Sequence, residues 1–503
     1  MYNLKYNLII LDLNMKYTNP ILQFDFSDPD AIRVGEDFYM VASSFNYVPG
    51  IPLLHSKNLV EWELINYVVP SLPQEFDEVL HGEGLWAPSI RYHDSWYYCI
   101  IPDPDRGIFV TKTQNPYGEW EPMWCVIEGK GIIDPCPIWT DGKCYMAVGF
   151  AKSRCGFNSS IGVYEVSTDL KKQISDSYKI VYDGHNNNPT IEGPKFNYRN
   201  GYYYIMCPAG SVKGGWQVAL RSRSIYGPYE SKVVLMQNGT KINGPHQGAL
   251  IDLDDNDNWA FIHFQDMWAY GRIIHLEPVC WFNDWPICGQ AGDLLLAGAP
   301  VTEADYPINL KTDYKIELND DFKDNKLSLL WQTQANRKPF WFDFDEGLIL
   351  NCVNTKELDL HLIPQLLTQK VPALEFDTTS LVELQNLKNN DAVGFTMMGS
   401  KYSYLQIEKK NDKLWLSLYE GSFNEHEECI LKEEYHDNRI IFGLKARNEA
   451  FYDLRYQYTV NGREMGNSYL ATAGRWIGAT FGLYAKGNGG YAKVKYFNTT
   501  KLK

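Results

Sequence analysis

Three carboxylates and one imidazole recur at a single position of an internal repeat. Aligned on five aromatic residues, Tyr39, Tyr97, Tyr145, Tyr203 and Trp259, the chain places Asp28, Trp86, Asp134 and Glu192 eleven residues before the first four. The fifth repeat carries a turn two residues longer, and His246 lies thirteen residues before Trp259. Pro29, Pro88, Pro135, Pro194 and Pro245 accompany them. An Asp before Pro is by itself a common turn former, and a lone His is commonly a satisfied core residue. Three acids and an imidazole in one register are different, because they would repel and desolvate one another without benefit to folding. Two carboxylates flanking a glycosidic bond suffice to hydrolyse it. One, protonated, donates to the leaving oxygen, and the other, ionised, activates water or attacks the anomeric carbon. A third carboxylate nearby raises the pKa of the acid and keeps it protonated near neutrality. Asp, Glu and His can also hold Ca²⁺ or a transition metal, but an indole such as Trp86 adds nothing to a metal cage and suits a sugar face.

The elements that must position these groups are hairpins. Ala31–Ser43, Ser89–Ile101, Pro137–Gly149, Lys195–Cys207 and Ala249–His263 each read as an apolar strand, a polar turn and an aromatic-rich strand. Their turns are Gly35–Glu36–Asp37, Asp94–Ser95, Asp141–Gly142, Asn200–Gly201 and an acidic loop, Asp254 to Asp257. A further strand often follows, as in IFVTKTQNPYGEW and VALRSRSIYGPYE. Units of about fifty to sixty residues with three or four strands are the form of propeller blades, and five are counted. With the innermost strand first in each blade, all five side chains meet at one mouth of the central channel. From about Asp313 the register changes to short alternating strands, including TKELDLHLI, AVGFTMMG, YSYLQIEKK, KLWLSLYEG, RIIFGLKAR and ATFGLYAKG. These predict a jelly-roll β-sandwich. The expected architecture is all-β: an N-terminal extension over 1–18, a five-bladed β-propeller over 19–306 and a sandwich over 307–503.

Bulk properties narrow the partners. The 503 residues exceed one ordinary domain, and aromatics make up 14% of them, which suits β-sheets and sugar stacking. A net charge of −15 argues against nucleic acid. The ten Cys fall into no metal or disulfide framework and read as buried or free thiols of a reducing compartment. The run Leu8–Ile9–Ile10–Leu11 is short, is broken by Asp12 and lacks a cleavage site, and no stretch reaches the ~20 apolar residues of a membrane span. A cytoplasmic protein without a membrane partner is expected. The first fourteen residues show no link to the pattern that follows, which leaves Met15 as a candidate natural start.

The repeats themselves are recognisable. SDPDAIRVGEDFYMVASSF from Ser27, LWAPSIRYHDSWYY from Leu85, IDPCPIWTDGKCYM from Ile133, IEGPKFNYRNGYYYI from Ile191, GPHQGALIDL from Gly244 and YGRIIHLEPVCWFNDWPICG from Tyr270 resemble family 43 of the glycoside hydrolases. That family comprises five-bladed propellers that include β-xylosidases, α-L-arabinofuranosidases and arabinanases. The resemblance spans nearly the whole propeller. DDFKDNKLSLLWQTQAN resembles the start of the concanavalin-like module of the β-xylosidase branch. The resemblance implies that Asp28 is the general base, with Asp30 as the neighbouring alternative, that Glu192 is the general acid, and that Asp134 raises and orients the acid. It implies an inverting reaction, with the two carboxyls roughly 6.5–9.5 Å apart. Trp86 and Phe45 would wall the sugar, and Arg272 would bond its hydroxyls. Gln247 is a further sugar contact. His246 resembles a channel histidine that in relatives lies beside Ca²⁺ or a water cluster, so a calcium ion near the axis is a possible cofactor and no organic one is expected. Trp216 and Gln217 are placed at the mouth by position alone.

The expected substrate is a xylo- or arabino-oligosaccharide, cleaved from its end, because an appended domain that narrows the mouth favours a pocket over an open groove. A homo-oligomer is compatible with this. The competing readings are a non-catalytic carbohydrate-binding propeller, an arabinan-acting hydrolase of the same family, and a Ca²⁺-stabilised structural propeller.

Overall fold

The computed structural model describes residues 15–292, 297–357 and 359–502. The expectation for residues 1–14 lies outside these. Five four-stranded antiparallel units follow one another, with first strands Asp30–Val34, Ser89–His93, Ile132–Thr140, Lys195–Arg199 and His246–Asp252. In each the strands are added in chain order, and the fourth unit is widened by two short strands, Gln290–Ala291 and Gly298–Ala299. The first strands touch one another in sequence around the ring, and the fifth closes on the first. This is the five-bladed propeller with the innermost strand leading each blade. The turns follow from residue type: Asp94–Ser95, Asp141–Gly142 and Asn200–Gly201 all have positive φ at both positions, the backbone that a tight two-residue hairpin needs. Apolar side chains of neighbouring blades fill the space between them; Val41, Leu53, Ile90 and Ile101 of the first two blades share one cluster.

The C-terminal part is a sandwich of two seven-stranded sheets. Phe395, Phe442, Phe481 and Phe497 fill its centre. The same cluster contains Met267, Ala269, Tyr270 and Ile273 of the fifth blade, so the sandwich core runs into the propeller. Around residues 355–363, where alternation predicts a strand, Leu360–Leu362 instead forms one turn of 3₁₀ helix. Leu360 and Ile363 are buried there beside Tyr402 and Tyr404, and Pro364 follows. A repeat of two is compatible with such a turn when only one short face is buried. The strand Lys16–Thr18 pairs antiparallel with Glu303–Asp305 and so ties the start of the described chain to the segment that leaves the last blade. No helix among the described residues is long and apolar enough to cross a membrane.

Candidate active site

The five repeat positions converge. A cavity of about 120 Å³ at one end of the channel is lined by Asp28, Trp86, Asp134, Glu192 and His246, together with Phe45, Gln247 and Arg272. The backbone that brings them there is unusual in the same way in several blades. Asp28 and Asp134 lie in left-handed conformations, φ 55° and 57°, which short polar side chains tolerate best. Asp134 sits in an irregularity between Ile133 and Cys136, and Gln247 in another between His246 and Gly248. Such bulges turn a side chain out of the alternation of its strand. The equivalent backbone bonds recur: Trp86 N–H donates to the Pro102 carbonyl at 3.1 Å and Glu192 N–H to the Pro208 carbonyl at 3.2 Å. Gly193 follows Glu192 with φ 60°, and a Cβ there would lie 2.8 Å from a Pro208 ring carbon. Its N–H donates to Asp134 Oδ2 at 2.8 Å, so Asp134 is held by the residue next to Glu192.

Each carboxylate has a different environment. Asp28 accepts from Ser43 Oγ at 2.6 Å and from Arg272 Nη1 at 3.0 Å. Both hydrogen bonds fix the carboxyl group in place. Burial raises the pKa of Asp134 to about 6, against the Gly193 N–H and the Lys195 ammonium, which lower it. Lys195 is buried and donates to the Pro88 carbonyl and Ser89 Oγ. Glu192 is shifted further than Asp134: burial first, then the negative charges of Asp134 and Asp28, push it up to about 8 against the pull of Arg272. Its side chain is still 35% exposed at the cavity, so it can reach a ligand. An acid held protonated beside a second carboxyl group is the arrangement that glycosidic cleavage needs.

His246 is nearly buried, and desolvation lowers its pKa to about 3, leaving a neutral ring. Its Nε2 stands 3.5 Å from Glu192 Oε1, and neither ring nitrogen has a hydrogen-bond partner among the described residues. The Gln247 amide nitrogen is likewise buried, with no partner at close hydrogen-bond distance, and it faces Asp134, whose pKa it helps to lower. Such groups are available to a sugar hydroxyl or a water. Ca²⁺ takes about six to eight oxygens, and among the described residues no group of three or more His, Cys, Asp or Glu is placed to hold a metal ion.

Asp30, only two residues from Asp28, lies at the other end of the channel. There it lines a second cavity of about 350 Å³ with Arg33, Arg91, Trp139 and Asp252. Its Oδ2 accepts from Arg91 and from the Ile90 N–H at 2.9 Å. Trp216 and Gln217 are not on the site cavity; their side chains donate to Asn188 and to the Pro245 carbonyl.

Two contributors carry no repeat signal. Trp476, from the sandwich, lines the cavity and meets Trp86 edge-on with ring centroids 6.0 Å apart. Phe45 also meets Trp86 edge-on, at 6.2 Å. Asp25 holds the joint: its Oδ1 accepts from Arg272 N–H and its Oδ2 from Gly478 N–H, both at 2.9 Å. A Cβ on Gly478 would lie 2.5 Å from the Gly271 nitrogen, so only glycine allows this approach. One buried carboxylate thus fixes the backbone beside Arg272 and the loop that presents Trp476. Asp25 could have been suspected from the acidic run that opens the first blade, whereas nothing in the sequence marks Trp476.

Residues 17–286 match the family model of glycosyl hydrolases family 43, and residues 319–500 that of the beta xylosidase C-terminal concanavalin A-like domain. A putative beta-xylosidase of Xylanibacter ruminicola is 34% identical over 475 residues, 93% of this chain and 85% of that protein. The non-reducing end alpha-L-arabinofuranosidase BoGH43B of Bacteroides ovatus is 27% identical over 94% of this chain and 92% of its own. The crystal structure of xylan beta-1,4-xylosidase from Bacillus halodurans C-125 superposes with a TM-score of 0.82 at 21% identity, covering 96% of this chain and 99% of that one. This last likeness bears on the fold.

Proposed function

Because the chain belongs to family 43 of the glycosyl hydrolases and is a glycoside hydrolase, we propose that it releases single terminal pentoses from xylo- or arabino-oligosaccharides, as a β-1,4-xylosidase that also accepts α-L-arabinofuranosides. The observation that carries this reading is the cavity itself. It is about 120 Å³, has Asp28, Asp134 and Glu192 on its wall, and is narrowed by Trp86 and Trp476. A pocket of this size suits one terminal sugar and not the middle of a polymer chain. Relatives named for both xylose and arabinose support both pentoses.

In this reading ionised Asp28 takes a proton from a water that attacks the anomeric carbon. Glu192 gives its proton to the leaving oxygen, and Asp134 keeps Glu192 protonated until then. Arg272 holds Asp28 and approaches the sugar hydroxyls, while neutral His246 and Gln247 supply further polar contacts. The reaction consumes one water and inverts the anomeric centre. The test is to incubate the protein with p-nitrophenyl β-D-xylopyranoside, p-nitrophenyl α-L-arabinofuranoside and xylobiose, and to follow the first anomer released by NMR. Pentose of inverted configuration is expected. Silence on all three would overturn the substrate, and retained configuration would overturn the roles of Asp28 and Glu192.

A further inference from the structure

Of the fifteen tryptophans in the chain, two are more than a third exposed, Trp268 at 47% and Trp476 at 45%. Both have positive φ, 57° and 66°. A bulky side chain gains nothing for folding from a left-handed backbone position in solvent, where Asn or Gly would sit at lower cost. Each indole carries a cation at its ring: Lys213 Nζ is 5.8 Å from the centre of Trp268, and the Arg475 guanidinium is 5.3 Å from that of Trp476.

Both rings are tied to residues that line the cavity. Trp476 lines the cavity. Two residues on, Gly478 packs against Gly271, in the turn that Trp268 opens and that leads into Arg272. On the other flank Val212 lines the cavity, and its neighbour Lys213 reaches over Trp268. Asn243 fastens this wall: it donates to the Lys213 carbonyl at 2.7 Å and accepts from Gln265 at 2.8 Å and from Tyr452 of the sandwich. Trp268 is therefore held just outside the cavity, beyond the residues that touch it.

Resting on the terminal pentosidase reading, we infer that Trp268, steadied by Lys213, forms a distal subsite for the leaving-group side of the oligosaccharide. The reacting sugar fills the cavity, the first leaving-group sugar lies against Trp86 and Trp476, and the second stacks on Trp268. A flat apolar ring face meeting a pyranose face is the chemistry of this contact. The enzyme then reads chain length: a trisaccharide reaches Trp268 and a disaccharide does not.

The experiment is to measure kcat/KM for xylobiose, xylotriose and xylotetraose in the wild type, Trp268→Ala and Trp268→Tyr. In the wild type the value rises by about tenfold from xylobiose to xylotriose, the size of one good aromatic contact, and then levels off. Trp268→Ala loses that gain, and Trp268→Tyr keeps most of it. Comparing substrates within each variant removes differences in folded fraction. The inference is overturned if the wild type does not distinguish xylobiose from xylotriose, or if Trp268→Ala keeps the full gain. A wild type inactive on all three sugars would instead overturn the pentosidase reading, and the subsite with it.

Discussion

The two ends of the propeller channel draw on similar residue types and use them differently. At the wider end three carboxylates have two guanidiniums: Asp30 pairs with Arg91, and Asp252 and Asp255 share Arg33. At the narrower end Asp28, Asp134 and Glu192 share one guanidinium, that of Arg272, which bonds Asp28. The larger cavity is therefore closer to charge balance than the smaller one. Burial first, and uncompensated negative charge after it, raises the pKa values of Asp134 and Glu192. The chemistry lies where charge is left uncompensated, and cavity size is a poor guide to it.

The sharpest way to break this contrast is to make the same change at each end. Asp28→Asn keeps the size of the side chain but removes the base, so kcat should fall about 10³-fold. Asp30→Asn leaves the partly buried Arg91 without its counterion, which costs about 3 kcal/mol of stability. Its melting temperature should fall while the pH profile of the folded fraction stays in place. Equal kinetic effects at the two positions would dissolve the distinction.

A smaller effect is expected when one of the crowded charges is removed. Asp134→Asn takes away a negative charge that raises Glu192. The pKa of Glu192 then falls, and the alkaline limb of kcat/KM, expected near pH 8 in the wild type, moves down by about one pH unit. A limb that stays or moves up would show that Asp134 does not act through Glu192.

The aromatics allow the same comparison. Trp476→Ala at the narrow end should raise KM for xylobiose about tenfold and change kcat little, the loss of about 1.4 kcal/mol of sugar contact. Trp139→Ala at the wide end, where the indole stacks on His93 at 4.3 Å, should leave KM alone.

The least effect is thermodynamic. Folding raises the pKa of Glu192 from 4.5 to about 8, so between these values the folded state keeps a proton that the unfolded state releases. Stability therefore declines as pH rises through that window. Glu192→Gln removes the penalty and should melt about 2 °C higher than the wild type near pH 8, with the gap closing near pH 5. Calorimetry at the two pH values checks this.

How much of this could be read from the chain differs from part to part. The second strand of each blade carries an aromatic at an equivalent position, so Asp28, Trp86, Asp134, Glu192 and His246 align by their spacing to it, and all five line one cavity. Asp28 and Asp30 differ by a full strand period, and it is the left-handed φ of Asp28, invisible in composition, that helps send them to opposite ends. In the sandwich, alternation located most central strands but passed over Glu425–Tyr435. That edge strand is so rich in Glu and Lys that its apolar face is faint, which is how edges resist pairing with other chains. Trp476 was unreadable because it belongs to a loop, and its place at the mouth depends on Asp25 gripping Gly478 across the two domains.

The most direct test of the carboxylate assignment is the leaving-group dependence of Glu192→Ala. Nitrophenolate departs with little need of a proton, whereas the sugar alcohol released from xylobiose needs one. Glu192→Ala should lose about 10³-fold in kcat/KM on xylobiose and far less on p-nitrophenyl β-D-xylopyranoside. Equal losses on the two substrates, or full activity on xylobiose, would contradict Glu192 as the acid.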